Sequence, residues 1–399
     1  MKLNKNIILW ILVGLLSLGQ LQRIELPKHT ISFYLHDIFI ILFVFHTVFT
    51  NPIALYNNIH IFFKKEKIIQ LFAGITILSL ILNIIINPDY IVLLYSFRLL
   101  TYILFGFSIA LLIKNKIIDA EYLKFQIFSV GLFSLLLGFL QFIFIPDTRF
   151  LSVLGWDDHY ARLISTYFDP GFTGIIFLFT LFVGLSSNYI KNKYIQLLLI
   201  FSFSWGIILT FSRASYLALL IGLLLIAVHK IKLNTTLLKI GILGSLSIVF
   251  LIIIAPKPYG EGVNLLRTAS IYARTNAIKE QLTTLSAQTI VIGNGLFSKK
   301  NSLSSITETQ TNNLIPSHSR LPDNIFVTVL LSTGVFGLFL FILILNKWIQ
   351  QLRSRNIFIA IGFICILIHS QFSNSLLQPF VLLLLLLAAT TETNYKLKK

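Results

Sequence analysis

The chain has 399 residues, of which 56% are hydrophobic and only 12% charged, and its mean hydropathy is +0.85. That composition excludes a water-soluble domain. The formal net charge of +17 sits in short clusters between apolar runs rather than on one arm or face, so it reads as membrane topology and not as a nucleic-acid surface. The one cysteine, Cys365, lies inside an apolar run, which excludes disulfides within the chain and cysteine metal clusters.

In chain order the apolar stretches fall at 7–22, 31–50, 68–87, 91–113, 125–145, 171–190, 194–211, 215–229, 240–255, 324–345, 357–371 and 375–391. They predict an all-α polytopic membrane protein of about twelve transmembrane helices, forming a single integral membrane domain over residues 1–399. The stretches at 215–229 and 357–371 are shorter than the ~20 residues of a perpendicular span, which suits tilt or re-entrant geometry. The first stretch is followed at once by others, with no small-residue cleavage site, so it reads as retained rather than as a signal peptide.

Twelve spans would put alternate loops on one side. Lys2 and Lys5, Lys64, Lys65 and Lys67, Lys114, Lys116 and Lys124, Lys191 and Lys193, Lys230, Lys232 and Lys239, Lys347, Arg353 and Arg355, and Lys396, Lys398 and Lys399 all fall in one set. Few acids accompany them, so the positive-inside rule predicts cytoplasmic termini. The other set is then external: the loop near Arg23, the turn 87–90, the loop 146–171, the turn 212–214, the large loop 256–323 and the turn near Asn374.

Those outer segments hold the candidates for chemistry. Within the large loop, residues 264–285 read as a helix outside the bilayer, because Arg267, Ile271, Arg274, Ile278 and Gln281 recur on one face. Its guanidiniums suit either a bound diphosphate or lipid headgroups. Arg213 stands at a junction of two spans, where it either snorkels or binds an anion. Arg98 lies about two turns into a span, where a charge needs a partner: Asp37, Asp89 or a substrate anion. Trp156, Asp157, Asp158 and His159, followed by Arg162, Tyr167, Phe168 and Asp169, interleave rings with carboxylates. That pattern suits sugars as well as an interfacial aromatic belt, and consecutive residues make a poor metal site. His318 and Asp323 could each act as a general base, with Arg320 between them. No nucleotide-binding, hydrolase-elbow or zinc-protease motif is present.

The order of these features resembles the bacterial O-antigen polymerase and O-antigen ligase superfamily, and most of all the Wzy-type repeat-unit polymerases. The resemblance rests on Arg162 to Gly171, the Ser212-Arg213-Ala214 junction, Gly293-Asn294-Gly295-Leu296-Phe297, Asp323-Asn324-Ile325-Phe326 and Gly334-Val335-Phe336-Gly337-Leu338. In the ligases a histidine commonly precedes the asparagine matching Asn324; here that residue is Asp323, which favours a polymerase. The resemblance implies a GT-C-like glycosyltransferase architecture in a bacterial cytoplasmic membrane, with an outward-facing active site. It implies undecaprenyl-diphosphate-linked oligosaccharides as donor and acceptor, and a chain-length regulator and a flippase of the same pathway as further partners. A donor that carries its own leaving group requires no cofactor or metal. Arg213 and Arg274 would then hold the diphosphate, assisted by Arg162 and Arg267, with Arg98, Arg320 and Asn324 also toward substrate. His318 first, and Asp323 second, would be the base, and Asp169 would orient sugar. Transfer to another acceptor, as in the ligases, and lipid-linked oligosaccharide flipping are the alternatives; the long loop and missing internal repeat argue against the latter.

Overall fold

The structure, a computed structural model, describes residues 5–25, 32–86, 88–231, 249–250, 253–254, 261–265, 268–283, 285–298, 301 and 321–392. Lipid offers the backbone no hydrogen bonds, so an apolar chain must satisfy its amides within helices. The helices are α1 (Lys5–Leu18), α2 (Leu35–Thr50), α3 (Pro52–Lys65), α4 (Lys67–Ile86), α5 (Tyr90–Lys114), α6 (Ala120–Phe144) and α7 (Pro170–Ser186). They continue as α8 (Lys193–Leu209), α9 (Arg213–Ile231), α10 (Ala269–Thr283), α11 (Ala287–Val291), α12 (Ile325–Arg355), α13 (Ile357–His369) and α14 (Pro379–Thr391). The only sheet among the described residues is an antiparallel pair, β1 (Arg23–Glu25) with β2 (Ser32–Tyr34), in which Arg23 faces Tyr34.

The chain is an all-α membrane protein. Helices α4, α5, α6 and α12 are long and apolar enough to cross a membrane, and the bent pair α2–α3 makes a fifth if it counts as one span. Helices α1, α7, α8, α9, α13 and α14 are apolar but shorter. Of the predicted stretches, 240–255 falls almost wholly outside the described residues.

Two segments differ from the sequence reading. Residues 52–65, read as part of a loop, form α3, which turns 103° from α2. Pro52 starts it at the first helical position, where a missing N–H costs nothing, and Lys64 and Lys65 close its last turn. The helix expected over 264–285 starts later, at Ala269; a 3-10 turn at Glu261–Val263 comes before it, and Arg267 lies outside the described residues.

Helix α7 is the centre of the bundle. Every residue from Thr173 to Gly184 is buried, because α6, α8, α9, α13 and α14 pack around it. Small residues permit the close approach, as where Thr180 lies on Gly131 of α6. Helix α4 shows the reverse pattern: only Ser79 and Asn83 are buried, and its apolar surface faces outward, as suits lipid.

Helix α12 is broken at Gly334, whose φ of 73° and ψ of −176° are open only to glycine. The break leaves carbonyls unpaired, and the Asn294 and Gly295 amides fill them by donating to Leu331 and Ser332 at 2.7 and 3.1 Å. Ser79 Oγ donates to the same Ser332 carbonyl at 2.7 Å. A Cβ on Gly334 would stand 2.4 Å from the Val291 carbonyl oxygen, and one on Gly293 2.3 Å from that of Ser332. The two glycine motifs are thus halves of one joint.

Ion pairs separate to the two sets of loops. Lys124 contacts Glu121 and Glu392 at 2.9 and 2.8 Å, and Lys347 pairs with Glu66. Arg23–Glu25, Arg98–Asp37, Arg149–Asp147 and Arg274–Asp323 belong to the other set.

Candidate active site

A cavity of about 390 Å³ opens between the β1–β2 hairpin, α5, the α6–α7 connection, α10 and the α13–α14 connection. Its lining includes the guanidiniums of Arg23, Arg98 and Arg274 and the carboxylates of Asp157, Asp169 and Asp323. Charge is therefore balanced within a partly aromatic wall.

The first wall comes from α5. Tyr95, Arg98 and Tyr102 recur at i, i+3 and i+7, so one stripe of an otherwise apolar helix turns to the cavity. Arg98 Nη2 lies 3.0 Å from Asp37 Oδ2 on α2 and also donates to the Ser32 carbonyl. Its guanidinium carbon lies 5.4 Å from the Tyr34 ring centre and 5.3 Å from that of Tyr95. Of the partners open to Arg98, the structure selects Asp37. Asp89 instead caps α5 through the Ile91 amide. Asp37 also accepts from the Tyr34 amide and the Tyr102 hydroxyl, which contacts His36 at 3.0 Å.

The second wall is the connection from α6 to α7. Thr148 and Ala161 amides donate to His159 and Pro146 carbonyls, folding residues 146–161 back on themselves. Phe168 adopts a left-handed φ of 57°, a strained choice for an aromatic residue, and this sets Asp169 as the N-cap of α7. Asp169 accepts the Phe172 amide at 2.7 Å while lining the cavity. Burial pushes its pKa up, against the Phe172 N–H and the Arg162 charge, which pull it down.

The third wall joins α10 to the start of α12. Arg274 Nε lies 3.6 Å from Asp323 Oδ2. The Asp323 side chain keeps 55% of its surface open because it faces a hollow, yet the enclosing protein raises its pKa. Burial is the largest cause, Arg274 opposes it, and the Asp157 charge adds to it.

The other predicted residues stand apart from this lining. Arg162 is buried, donating from Nε to the Thr210 carbonyl at 2.9 Å and from Nη2 to that of Phe211 at 3.2 Å, so it clamps the α8–α9 junction. Arg213 donates to the Leu265 carbonyl at 3.3 Å. Asn324 caps α12 through the Phe326 and Val327 amides and holds Gln371. His318, Arg320 and Arg267 lie outside the described residues. Among the described residues no His, Cys, Asp and Glu converge as metal ligands would.

Sequence reading passed over Gln20, Arg23, Tyr34, Tyr95 and Tyr102, which the fold brings to the cavity. The spacing of Tyr95, Arg98 and Tyr102 was the available signal. It also passed over His369, which is buried behind this wall with Nδ1 2.6 Å from Ser375 Oγ and Nε2 3.3 Å from Ser215 Oγ.

Residues 197–342 match the family model described as O-antigen ligase, a segment that includes Arg213, Arg274, Asp323 and both glycine motifs. This segment is similar to the O-antigen ligase family. The match supports, at the level of that superfamily, a glycan transferase of polysaccharide assembly. No curated protein and no solved structure matches the chain. The O-antigen ligase match begins in α8 and ends in α12, so the first and second walls of the cavity lie outside it.

Proposed function

We propose that the cavity joins undecaprenyl-diphosphate-linked oligosaccharide repeat units on the outer face of a bacterial cytoplasmic membrane, as a metal-independent polymerase. The observation that carries this reading is the Arg274–Asp323 pair in an aromatic-walled cavity, within a chain that matches the O-antigen ligase family. Arg274 takes the donor diphosphate, whose negative charge grows as the bond to the anomeric carbon breaks. Turning to the diphosphate takes Arg274 from Asp323, which then loses the cation that held its pKa down. Asp323 thereby becomes a stronger base. It accepts the proton of the acceptor hydroxyl while that oxygen bonds to the anomeric carbon and lipid diphosphate departs. Asp169 and the rings around it orient sugar. His318, in the same loop, is the alternative base, and Arg320 and Arg267 are further diphosphate contacts. Arg162 and Arg213 act through the segments they hold. Twelve spans with cytoplasmic termini complete the proposal, supported by the separation of the ion pairs into two sets.

The family description favours a second reading, in which finished glycan passes once to another acceptor, such as lipid A core or a protein. Purified protein with a synthetic undecaprenyl-diphosphate repeat unit, without nucleotide or metal, separates the two. A ladder of lipid-linked chains supports the polymerase. Transfer only when another acceptor is added supports the ligase-type reaction, and transbilayer movement of unchanged lipid would overturn both.

A further inference from the structure

A buried polar atom without a partner costs free energy, so several beside one hollow mark a place for a polar ligand. Three side chains lining the cavity carry such an atom: Gln20 Oε1, Arg23 Nε and Asn374 Oδ1. Two of them come from one turn. The 3-10 helix Gly19–Gln22 ends on Arg23, whose N–H donates to the Gln20 carbonyl, and such a turn eclipses residues three apart. Gln20 is 7% exposed and the Arg23 side chain 10%. Arg23 Nη2 is tied to Glu25 at 2.7 Å, and its guanidinium carbon lies 5.2 Å from the Trp156 ring centre. Those contacts hold the guanidinium in place and leave Nε unanswered. Trp156 meets Phe168 edge-on at 5.7 Å, so the corner has an apolar floor.

We propose that Gln20, Arg23 and Trp156 form a subsite for a neutral pyranose of the glycan, distinct from the Arg274–Asp323 pair. A sugar hydroxyl can accept from Arg23 Nε and donate to Gln20 Oε1, beside the hydrogen bond that the Gln20 amide makes with Tyr34. A phosphate or carboxylate has no proton to offer Gln20 Oε1 and would set two acceptors against each other. Water has the proton but no apolar face, whereas a pyranose ring presents one to Trp156. The inference rests on the reading of the cavity as a glycan site, but its test needs no turnover.

The protein in lipid nanodiscs is titrated with the methyl glycosides of glucose, galactose and N-acetylglucosamine, binding being read by saturation-transfer NMR and by the Trp156 part of the fluorescence. At least one glycoside is expected to bind. Its affinity should fall about three- to tenfold in Gln20→Met and in Arg23→Lys, which retains the charge beside Glu25, and further in Trp156→Ala. Gly74→Ala, on α4 away from the cavity, should bind like wild type. Thermal unfolding of each variant identifies loss of fold, and Arg23→Lys is the mildest change if the others fail to fold. No binding of any glycoside, or equal binding in folded Gln20→Met and Arg23→Lys, overturns the subsite. A ladder from wild type with equal binding in those variants overturns the subsite alone. Binding that depends on Gln20 and Arg23 without any ladder supports the subsite and tells against the polymerase.

Discussion

Arg98 and Asp37 meet at 3.0 Å beneath the cavity, joining α5 to α2, whose only carboxylate is Asp37. Asp37 is 4% exposed and the Arg98 side chain 13%, so the pair is nearly dry. Removing one partner leaves the other charge stranded, a loss of about 3–5 kcal/mol. Asp37→Ala should therefore lower the thermal unfolding temperature of the purified protein more than the double change Asp37→Leu with Arg98→Leu. Equal losses would show that the two charges are not coupled.

The joint between Gly293 and Gly334 predicts a second stability effect. Gly334→Ala forces a side chain into a glycine-only backbone region, at about 1–3 kcal/mol, and drives its Cβ to 2.4 Å from the Val291 carbonyl oxygen. Gly293→Ala meets the Ser332 backbone in the same way. Both variants should give little folded protein on size-exclusion chromatography. Gly74→Ala, in α4 with nothing within 4 Å of its added Cβ, should fold as well as wild type or better.

Catalysis is expected to depend on the shape of the Arg274 side chain as well as its charge. Arg274→Ala should slow ladder formation by about a hundredfold or more, the scale seen when a group stabilising transition-state charge is removed. Arg274→Lys should recover part of that loss, because an ammonium keeps the charge but not the planar fork. The measurement is single-turnover transfer at saturating lipid, with folding checked separately. An unchanged rate in Arg274→Ala would move the diphosphate elsewhere.

The pH profile follows from the environment of Asp323. As a base it works when deprotonated, so activity should rise with pH through a limb placed above the usual carboxylate range, because burial raises its pKa. Asp157 adds to that rise, so Asp157→Asn should move the limb to lower pH. Arg274 opposes it, so the residual activity of Arg274→Gln should show the limb at higher pH. A limb that stays in place in both variants would assign the base to another residue, with His318 tested next.

The residues of the cavity were unequally legible in the sequence. Arg98, Asp169 and Asp323 stood out as charges in or beside an apolar run and Arg274 by its place on one face of an expected helix, and all four line the cavity. Arg162 stood out through the aromatic and charged pattern of its loop, but the fold turns it to the Thr210 and Phe211 carbonyls. A guanidinium that caps a helix junction and one that faces a cavity are alike in sequence. Gln20 and Tyr34 carried no signal, since their role comes from a single 3-10 turn and a two-stranded hairpin only three residues deep.

What the sequence determined by itself is the membrane environment and the helices. Apolar length and the need to satisfy backbone amides inside lipid leave almost no other secondary structure. It also determined which loops share a sign of charge. Tertiary structure alone decided which charges meet. Arg98 had two carboxylates within reach of a sequence argument, and the approach of α2 to α5 chose Asp37 while Asp89 went to a helix cap. It likewise decided that Gly293 and Gly334, 41 residues apart in number, are one contact. Periodicity reports the face of a single helix, whereas a partner across a bundle depends on how several helices pack at once.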